Sequence, residues 1–375
     1  MKIVCTRDNL ASSLSLVGGI ASKNINLPIL SNVLIKAENQ KVSLIVTNLE
    51  LAITSQLRAK TEEPGSFTVP AKTLNDFVNL LTEETVDLEV EENELKVKSG
   101  KSETKIKGTV ADEFPVLPPA TEGAGFLINI DELKDALGQV NPASAKNEIR
   151  PELAGTLFHF NPNEKKELVL AATDSYRLAE KKIKLEQGED NIRIIVPART
   201  AQEMARILTI NKNASDHEKG VRLIISESQI VMRNNDVELI SRLVEGKYPE
   251  YTQIIPSEFR TTIEINVSKL FKAVKAASLF TTTGVNAVTF DLKKELGMVG
   301  ISSASAQAGE HISDLTAEIE GENNNIILNH RYVLEGLSNF NEDNCLFKVV
   351  NADSPCVFTS KDNQNYLYIV MPIRQ

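Results

Sequence analysis

The sequence predicts an α+β protein of three similar domains in a row, each with mostly antiparallel sheet and two helices. Three observations support this prediction. One strand-to-helix segment occurs three times at nearly constant spacing, a second one also occurs three times, and the rest of the chain alternates apolar and polar residues between turns. At 375 residues the chain is too long for one core and suits two or three domains.

The first repeated segment joins the end of a strand to the start of a helix. Each copy has an apolar pair, a short break, a basic residue and then apolar residues at helical spacing. The copies are TVPAKTLNDFVNLL from Thr68, IVPARTAQEMARIL from Ile195 and ILNHRYVLEGLSNF from Ile327. They lie about 130 residues apart, which indicates repeated domains because solenoid repeats span only about 20–50 residues.

The second repeated segment marks the predicted start of each domain. Alternating apolar residues lead into a helix in MKIVCTRDNLASSLSLV, GFLINIDELKDALGQV and TTIEINVSKLFKAVKAA. The predicted helix N-caps are Asp8, Asp131 and Ser268. Proline-containing linkers, DEFPVLPPATEGAG and EGKYPEYTQIIPSEF, separate the copies and disfavour helix. The predicted domains are therefore 1–125, 126–252 and 253–375.

The remaining segments have the period of half-buried strands. Apolar and polar residues alternate in KVSLIVTNL, TVDLEVEENELKVKSG and VRLIISESQIVMR, and Asn, Gly, Asp and Glu occupy the turns between them. Short strands joined in this way favour antiparallel sheets. Repetition of such a domain is explained equally well by gene duplication for stability alone and by a symmetric functional surface.

Net charge, cysteine count and the absence of known motifs argue against several classes of function. The net charge of −10 argues against tight, static binding to nucleic acid, although a basic stripe can lie on an acidic protein. Three cysteines without a CxxC pattern and an N-terminus without a long apolar signal segment predict a reduced, cytoplasmic location. The four histidines lack zinc-ligand spacing, and SGKSETK lacks the first glycine of a phosphate-binding loop. No metal or cofactor is predicted.

One basic position recurs beside the start of a helix. The first repeated segment places Lys72, Arg199 and Arg331 there, where the helix dipole favours acidic residues instead. Lys269, Lys272 and Lys275 add a basic edge to the first helix of the third domain. These charges indicate either an anionic partner or an ordinary solvated face.

Two further segments contain features that the repeated strands and helices do not explain. LAATDSYRLAEKK has a polar turn at Thr173 to Tyr176, directly followed by Arg177 and Leu178. The chain ends in YLYIVMPIRQ, where Pro372 indicates a strand margin and leaves Met371 and Ile373 accessible. The alternatives for this end are a closing strand and an adaptable peptide-binding surface.

These segments resemble the bacterial DNA polymerase III beta subunits, the DNA sliding clamps. The resemblance covers essentially the whole chain and rests on LPILSNVLI from Leu27, TDSYRLA from Thr173, EGKYPEYTQIIP from Glu245 and the terminal VMPIR. It implies a ring-forming DNA clamp fold in which two chains join head to tail around duplex DNA. It also implies a non-catalytic protein that holds the replicative polymerase on DNA.

The resemblance also implies roles for individual positions. A cleft for short peptides of the polymerase, the clamp loader and other proteins corresponds to Leu153, Thr173, Ser175, Tyr176, Arg177, Leu178, Pro249, Ile254, Val370, Met371, Pro372, Ile373 and Arg374. The homodimer interface corresponds to Thr104 and Ile106 on one side and to Leu279 and Phe280 on the other. The expected DNA-facing residues are Lys23, Lys72, Arg150 and Arg199.

Two other classes of function are alternatives to a clamp. One is an enzyme of nucleotide metabolism that uses acidic residues, and the other is a monomeric repeat scaffold that binds only proteins. The molecular mass in solution separates a ring from a monomer. Retention on circular DNA with loss on linearisation separates a clamp from both alternatives.

Overall fold

A computed structural model describes residues 1–21, 27–115, 122–147, 149–211, 220–282, 284–361 and 365–374. Within these residues each repeat has two α-helices, which confirms that prediction. The helices are α1 (Arg7–Val17), α2 (Ala71–Leu80), α3 (Ile130–Val140), α4 (Ala198–Ile210), α5 (Val267–Ala277) and α6 (His330–Leu337). None of the helices described is long and apolar enough to cross a lipid bilayer.

The strands follow the same order around the two helices of each repeat. The first repeat contains β1 (Lys2–Thr6), β2 (Asn32–Glu38), β3 (Lys41–Thr47), β4 (Leu51–Leu57), β5 (Ala59–Glu63), β6 (Gly65–Pro70), β7 (Thr85–Glu91), β8 (Glu94–Ser99), β9 (Ser102–Lys107) and β10 (Thr109–Val110). The second contains β11 (Ala124–Asn129), β12 (Gly155–Phe160), β13 (Glu167–Thr173), β14 (Arg177–Gln187), β15 (Ile192–Pro197), β16 (Gly220–Ile225), β17 (Gln229–Asn234) and β18 (Val237–Arg242). The third contains β19 (Thr261–Asn266), β20 (Ala287–Lys293), β21 (Met298–Ser305), β22 (Gly309–Thr316), β23 (Glu318–Gly321), β24 (Asn324–Asn329), β25 (Asn344–Val349), β26 (Cys356–Ser360) and β27 (Tyr366–Val370).

Every strand pairing among the described residues is antiparallel, as the alternating segments predict. The segment SGKSETK forms the tight hairpin between β8 and β9, with Ser99 opposite Ser102. It therefore opens no helix and is not a phosphate-binding loop.

The first helix of each repeat begins two residues earlier than predicted. In all three repeats a short polar side chain just before the helix accepts a hydrogen bond from a backbone N–H of the first turn; the three acceptors are Thr6, Asn129 and Asn266. The predicted N-caps Asp8, Asp131 and Ser268 are therefore wrong. Asp8 and Asp131 lie instead in the first turn, where a negative charge interacts favourably with the helix dipole.

The chain divides into two compact units. The first unit comprises Met1–Lys134, Leu185–Glu189 and Gln202–Leu243. It contains a five-stranded sheet in the order β5-β1-β7-β8-β9. It also contains a longer sheet in the order β10-β6-β2-β3-β4-β18-β17-β16-β11, and the end of β14 pairs with β11.

The second unit comprises Asp135–Lys184, Asp190–Ala201 and Val244–Gln375. One of its sheets has the order β15-β12-β13-β14-β27-β26-β25-β19-β23. The other has four strands in the order β22-β21-β20-β24. Residues of the second repeat belong to both units, and the predicted three-domain boundaries stay a prediction.

Two strand pairings join consecutive repeats, and we call them the internal joints. The first unit contains the pairing of β4 with β18, and the second unit contains the pairing of β14 with β27. In both joints the fourth strand of one repeat (β4 or β14) pairs with the last strand of the next repeat (β18 or β27), which is the third strand after that repeat's second helix.

Two strands at the same positions have no such partner within the described part of the chain. They are β22, the fourth strand of the third repeat, and β9, the third strand after the second helix of the first repeat. Among the described residues, each of them pairs on one side only, β22 with β21 and β9 with β8.

Candidate functional site

A cavity of about 640 Å³ lies in the second unit, beside the turn between β13 and β14. Four residues of the predicted peptide cleft line it: Leu153, Ser175, Tyr176 and Arg177. Other lining residues come from the segment before β12 and from α6, including Ile149, Arg331, Tyr332 and Glu335. The cavity is therefore bounded by the second and third repeats.

The turn between β13 and β14 is held by its own side chains. Thr173 Oγ1 accepts the N–H of Ser175 at 3.1 Å and donates to the carbonyl oxygen of Arg177 at 2.6 Å. Asp174 Oδ1 accepts the N–H groups of Tyr176 and Arg177. Ser175 has φ of 77°, in the left-handed region that few residues adopt. The resulting tight turn leaves the Tyr176 side chain 63% exposed.

Arg177 is buried, with 3% exposure, and each of its three guanidinium nitrogens donates a hydrogen bond. It donates to Asp174 Oδ2 at 3.2 Å, to the carboxylate of Glu335 and to the carbonyl oxygen of Pro142 at 2.7 Å. The guanidinium carbon also lies 4.8 Å from the centre of the Tyr332 ring. In this conformation Arg177 connects strand β14 to helix α6 and forms part of the cavity wall.

An aromatic pair forms part of the cavity rim. The rings of Tyr176 and Tyr332 are nearly parallel, at 15°, with their centres 6.4 Å apart. Burial raises the pKa of Tyr332, and the charge of Asp174 raises it further. Sequence reasoning missed Tyr332 and Glu335, although the repeated segment singled out the neighbouring Arg331.

The C-terminal tail crosses from the second repeat to the third. Strand β27 ends at Val370, as the proline after it predicts. The N–H of Met371 donates to the carbonyl oxygen of Tyr176 at 2.9 Å, and the N–H of Ile373 donates to that of Ile327 at 2.8 Å. Residues 371–373 are half-buried, and Arg374 is exposed. The tail therefore lies on the surface with two backbone hydrogen bonds holding it.

Several predicted cleft residues support the surface without being accessible. Leu178 and Val370 have no exposed area, and Thr173 is 7% exposed. Leu178 packs in one core cluster with Leu153, Leu157, Ala171, Ile195, Tyr248, Tyr251, Val357 and Ile369. Pro249 is half-buried, and Ile254 is 42% exposed. The peptide-binding role of the whole set stays a prediction.

The segment before β19 contains Pro249 and Ile254, and one exposed and one buried side-chain contact fix its position. Arg193 pairs with Glu250 at 2.7 Å, which lowers the pKa of that carboxyl. Below it, the hydroxyl of Tyr251 donates to Glu180 Oε2 on β14 at 2.5 Å, and both residues are buried. Burial raises the pKa of Tyr251, and Glu180 raises it further. Sequence reasoning missed Glu180, because a single glutamate in a strand has the pattern of a solvated residue.

The substitution Tyr251→Phe removes this buried hydrogen bond and is expected to lower the free energy of unfolding by about 1–3 kcal/mol. The reason is that the buried Glu180 carboxylate loses a hydrogen-bond donor that water cannot replace. Urea unfolding measures the change. In a Glu180→Leu background the same substitution should change stability by less than about 0.5 kcal/mol, since no carboxylate is left unpaired. An equal loss in both backgrounds would show that the hydrogen bond contributes nothing.

The predicted DNA-facing residues lie on separate elements. Lys72 on α2 and Arg199 on α4 are exposed and occupy the same repeat position. Lys72 pairs with Asp76 at 2.6 Å, and Arg150 pairs with Glu152 at 3.0 Å. Lys23 lies outside the described residues. Lys269, Lys272 and Lys275 form an exposed edge of α5.

The predicted interface residues lie at the two one-sided strands. On β9 Thr104 is half-buried and Ile106 is 7% exposed. Leu279 and Phe280 follow α5 in a short 3-10 turn, and Leu279 is 69% exposed. The ring of Phe280 stacks on His311 of β22 with the ring centres 5.7 Å apart. A large apolar side chain next to an unpaired sheet edge is typical of an interface.

The described residues contain no group of three His, Cys, Asp or Glu side chains arranged to bind a metal. The three cysteines are unpaired and buried. Burial raises the pKa of Cys5 to about 12 and of Cys345 to about 12, so both thiols are protonated and poor nucleophiles at neutral pH.

Three family models match consecutive parts of the chain. They describe the DNA polymerase III beta subunit: the N-terminal domain matches residues 1–118, the central domain matches 127–250 and the C-terminal domain matches 252–374. A beta sliding clamp of Bacillus subtilis (strain 168) is 30% identical over 385 residues, which cover 100% of this chain and 100% of that protein.

Solved structures agree over the same length. The DNA polymerase III beta subunit from Thermotoga maritima matches with a TM-score of 0.93 and 25% identity, covering 100% of this chain and 99% of that one. A Pseudomonas aeruginosa DNA polymerase III beta subunit bound to griselimycin matches with a TM-score of 0.92 and 27% identity, covering 100% of both chains.

Proposed function

Because the chain belongs to the DNA polymerase III beta subunit family, we propose that it works as a DNA sliding clamp. Two copies form a ring that encircles duplex DNA and holds the replicative polymerase and other replication and repair proteins on it. The protein performs no chemistry of its own and needs no cofactor. It works in the cytoplasm, at the nucleoid, and its three domains are 1–125, 126–252 and 253–375.

The observation that best supports a ring is the set of internal joints. Two joints connect the three repeats by pairing β4 with β18 and β14 with β27. The two strands that would form a third pairing of this kind, β22 and β9, each lie at the edge of a different sheet. If β22 of one copy pairs with β9 of a second copy, and β9 of the first with β22 of the second, two copies close without a remaining edge of this kind.

Light scattering during size exclusion tests this assembly. A closed pair has about twice the 41.3 kDa mass of one chain at micromolar concentration. A mass that stays at 41.3 kDa under these conditions favours the monomeric scaffold. The family matches support the clamp and give no support to an acidic-site enzyme.

The proposed partner site is the surface around the cavity beside Tyr176. Half-buried Met371 and Ile373, exposed Ile254 and the aromatic rim provide apolar contacts for a short peptide. The buried network of Arg177 and the hydrogen bond between Tyr251 and Glu180 hold the surrounding elements in place. A preformed surface of this size suits exchange between the polymerase, the clamp loader and other proteins.

A clamp can be acidic and still act on DNA. A closed ring cannot leave duplex DNA sideways, so weak contacts to phosphates are enough, and strong ones would slow sliding. The chain has a net charge of −10, and one small group of its exposed cations, Lys269, Lys272 and Lys275, lies along α5. This distribution suits contacts that do not depend on base sequence.

Replacing Lys23, Lys72, Arg150 and Arg199 with alanine is expected to weaken the hold on DNA without changing fold or assembly. Loading and sliding should fail first as salt is raised. The slope of log binding against log salt should become shallower by about 0.9 for each phosphate that is no longer neutralised. Alanine at Lys36, Lys41, Lys60 and Lys293, which lie on strands, is the matched control. Equal salt curves for both variants would show that the four predicted residues are merely solvated.

A further inference from the structure

We propose that a cavity at the first internal joint binds a primary alkylammonium group, either the side chain of a lysine in another protein or a small free amine. The cavity has a volume of about 300 Å³ and lies where α1 meets the paired strands β4 and β18. Residues at the end of α4 line it as well. The described residues that line it all belong to the first compact unit, so that unit alone forms the site.

Two buried serines line the cavity without a hydrogen-bond partner. Ser13 on α1 is 6% exposed, and Ser55 on β4 is 2% exposed. Neither hydroxyl makes a hydrogen bond with another group among the described residues. A buried hydroxyl without a partner costs free energy, so both serines favour a ligand that forms hydrogen bonds with them.

The other polar groups of the cavity are mainly hydrogen-bond acceptors. Asn9 Nδ2 donates to the carbonyl oxygen of Arg58 at 3.4 Å, and Asn211 Nδ2 donates to that of Asn234 at 3.3 Å. These bonds orient the two carboxamides and leave both Oδ1 atoms as acceptors. Asp236 adds a carboxylate at the exposed mouth of the cavity. An ammonium group has three donors and no acceptor, so it matches this set.

The remaining wall suits an alkyl chain. Leu16, Ile210 and Val237 provide its apolar side chains. A chain of four methylene groups, as in lysine, can pack on them while its ammonium group contacts the polar side. The volume is at the lower end of the range for small-molecule sites, about 300–1,000 Å³, and therefore suits a short ligand.

The second internal joint has an ammonium group of its own at the equivalent position. Ser55 lies opposite Val237 in the first joint, and Lys181 lies opposite Tyr366 in the second. In both joints this pair joins the fifth residue of one strand to the first residue of the other. Lys181 Nζ lies 5.9 Å from the centre of the Tyr366 ring. The first joint has two smaller side chains at these positions, and an external ammonium group supplies the charge that Lys181 supplies in the second.

An exposed ion pair at the mouth predicts opposite effects for two substitutions. Arg58 Nη2 lies 3.4 Å from Asp236 Oδ2, and the Arg58 side chain is 81% exposed. Such a pair contributes little, so a bound ammonium group can replace Arg58 beside the carboxylate. Removing the charge of Arg58 should therefore strengthen amine binding, and removing the charge of Asp236 should weaken it.

Nuclear magnetic resonance on the methyl-labelled, full-length protein measures binding. Nα-acetyl-lysine amide and butane-1,4-diamine, titrated separately, should shift the methyl signals of Leu16, Ile210 and Val237 with a dissociation constant on the order of 1 mM. Nα-acetyl-norleucine amide lacks only the ammonium group and should bind about tenfold or more weakly. Tighter binding of the lysine amide supports a partner's lysine as the ligand, and tighter binding of the diamine supports a free amine. No saturable shift with either amine overturns the proposal.

Charge variants test the geometry without changing buried residues. Asp236→Asn should weaken binding of the tighter amine about two- to fivefold, and Arg58→Gln should strengthen it by a similar factor. Glu227→Gln is the matched control, because Glu227 is exposed in the turn between β16 and β17 and does not line the cavity. It should change the dissociation constant less than about 1.5-fold. Equal affinities for all three variants, or weaker binding by Arg58→Gln, would contradict the site.

Filling the cavity gives a separate measurement. Ser55→Lys places a lysine where the second joint has Lys181 and should abolish the shifts caused by both amines. Thr54→Lys is the control, because the next residue of a strand points to the opposite face of the sheet. It should bind the amines as the parent does. Parent-like amine binding by a folded Ser55→Lys variant would overturn the proposal, and if that variant fails to fold, the two charge variants decide.

Discussion

Replacing Leu279 and Phe280 with aspartate is expected to convert the dimer into folded monomers. Leu279 is 69% exposed in one chain, and Phe280 is stacked on His311 of the one-sided strand β22. Each side chain buried between copies contributes about 1.5–3 kcal/mol, and the substitution also places unpaired charges in the interface. Since a closed pair contains two such interfaces, both are lost together.

Analytical ultracentrifugation over a range of protein concentrations measures this change, and circular dichroism checks the fold. Leu49→Asp is the matched control, because Leu49 is 48% exposed in the turn between β3 and β4, outside both one-sided strands. The control should stay dimeric. Dimers of the Leu279 and Phe280 variant that persist at low concentration would show that these residues lie outside the interface.

Deletion of Met371–Gln375 is expected to abolish partner binding while leaving a folded dimer. The tail follows the last residue of β27 and has two backbone hydrogen bonds, from Met371 to Tyr176 and from Ile373 to Ile327. Few core contacts depend on it, so the melting temperature should stay within about 5 °C of the parent. A peptide that buries two large apolar side chains there gains about 1.5–3 kcal/mol from each. Their loss should weaken micromolar binding by about 100-fold or more.

Two measurements separate a binding surface from a closing strand. Thermal unfolding follows stability, and titration with a short peptide containing glutamine and two apolar anchors follows binding. Arg374→Ala is the control for the exposed end of the tail, and it should keep most of the affinity. Full peptide affinity after the deletion, or a large fall in melting temperature, would assign Met371 to Ile373 to the core of the third domain instead.

Local sequence patterns predicted much of the fold. The repeated strand-to-helix segments, the two helices of each repeat and the antiparallel hairpins depend on residue spacing over short stretches. The helix N-caps were placed two residues late, because Asp8 and Asp131 are acidic residues of the first turn that resemble caps in sequence. Thr6 and Asn129 perform the capping, and only their side-chain hydrogen bonds distinguish the two positions.

The site depends on contacts that a linear pattern does not contain. Glu180 pairs with Tyr251, and Arg177 with Glu335, across long stretches of chain. The resemblance to sliding clamps pointed to the surface around Tyr176. It did not distinguish accessible residues such as Ile254 from buried ones such as Leu178, because burial depends on tertiary packing. The sharing of the second repeat between two compact units follows from strand pairings across the repeats, which the spacing of the repeats does not reveal.

The central claim is that the protein holds DNA by enclosing it, and retention on circular DNA tests this most directly. After loading onto a nicked circle by a clamp loader and ATP, the ring should stay with the circle through size exclusion at salt concentrations that abolish ordinary charge-driven binding. Cutting the circle once should release it, because a ring slides off a free end. Equal retention on circular and linear DNA, or equal loss from both, would contradict the account.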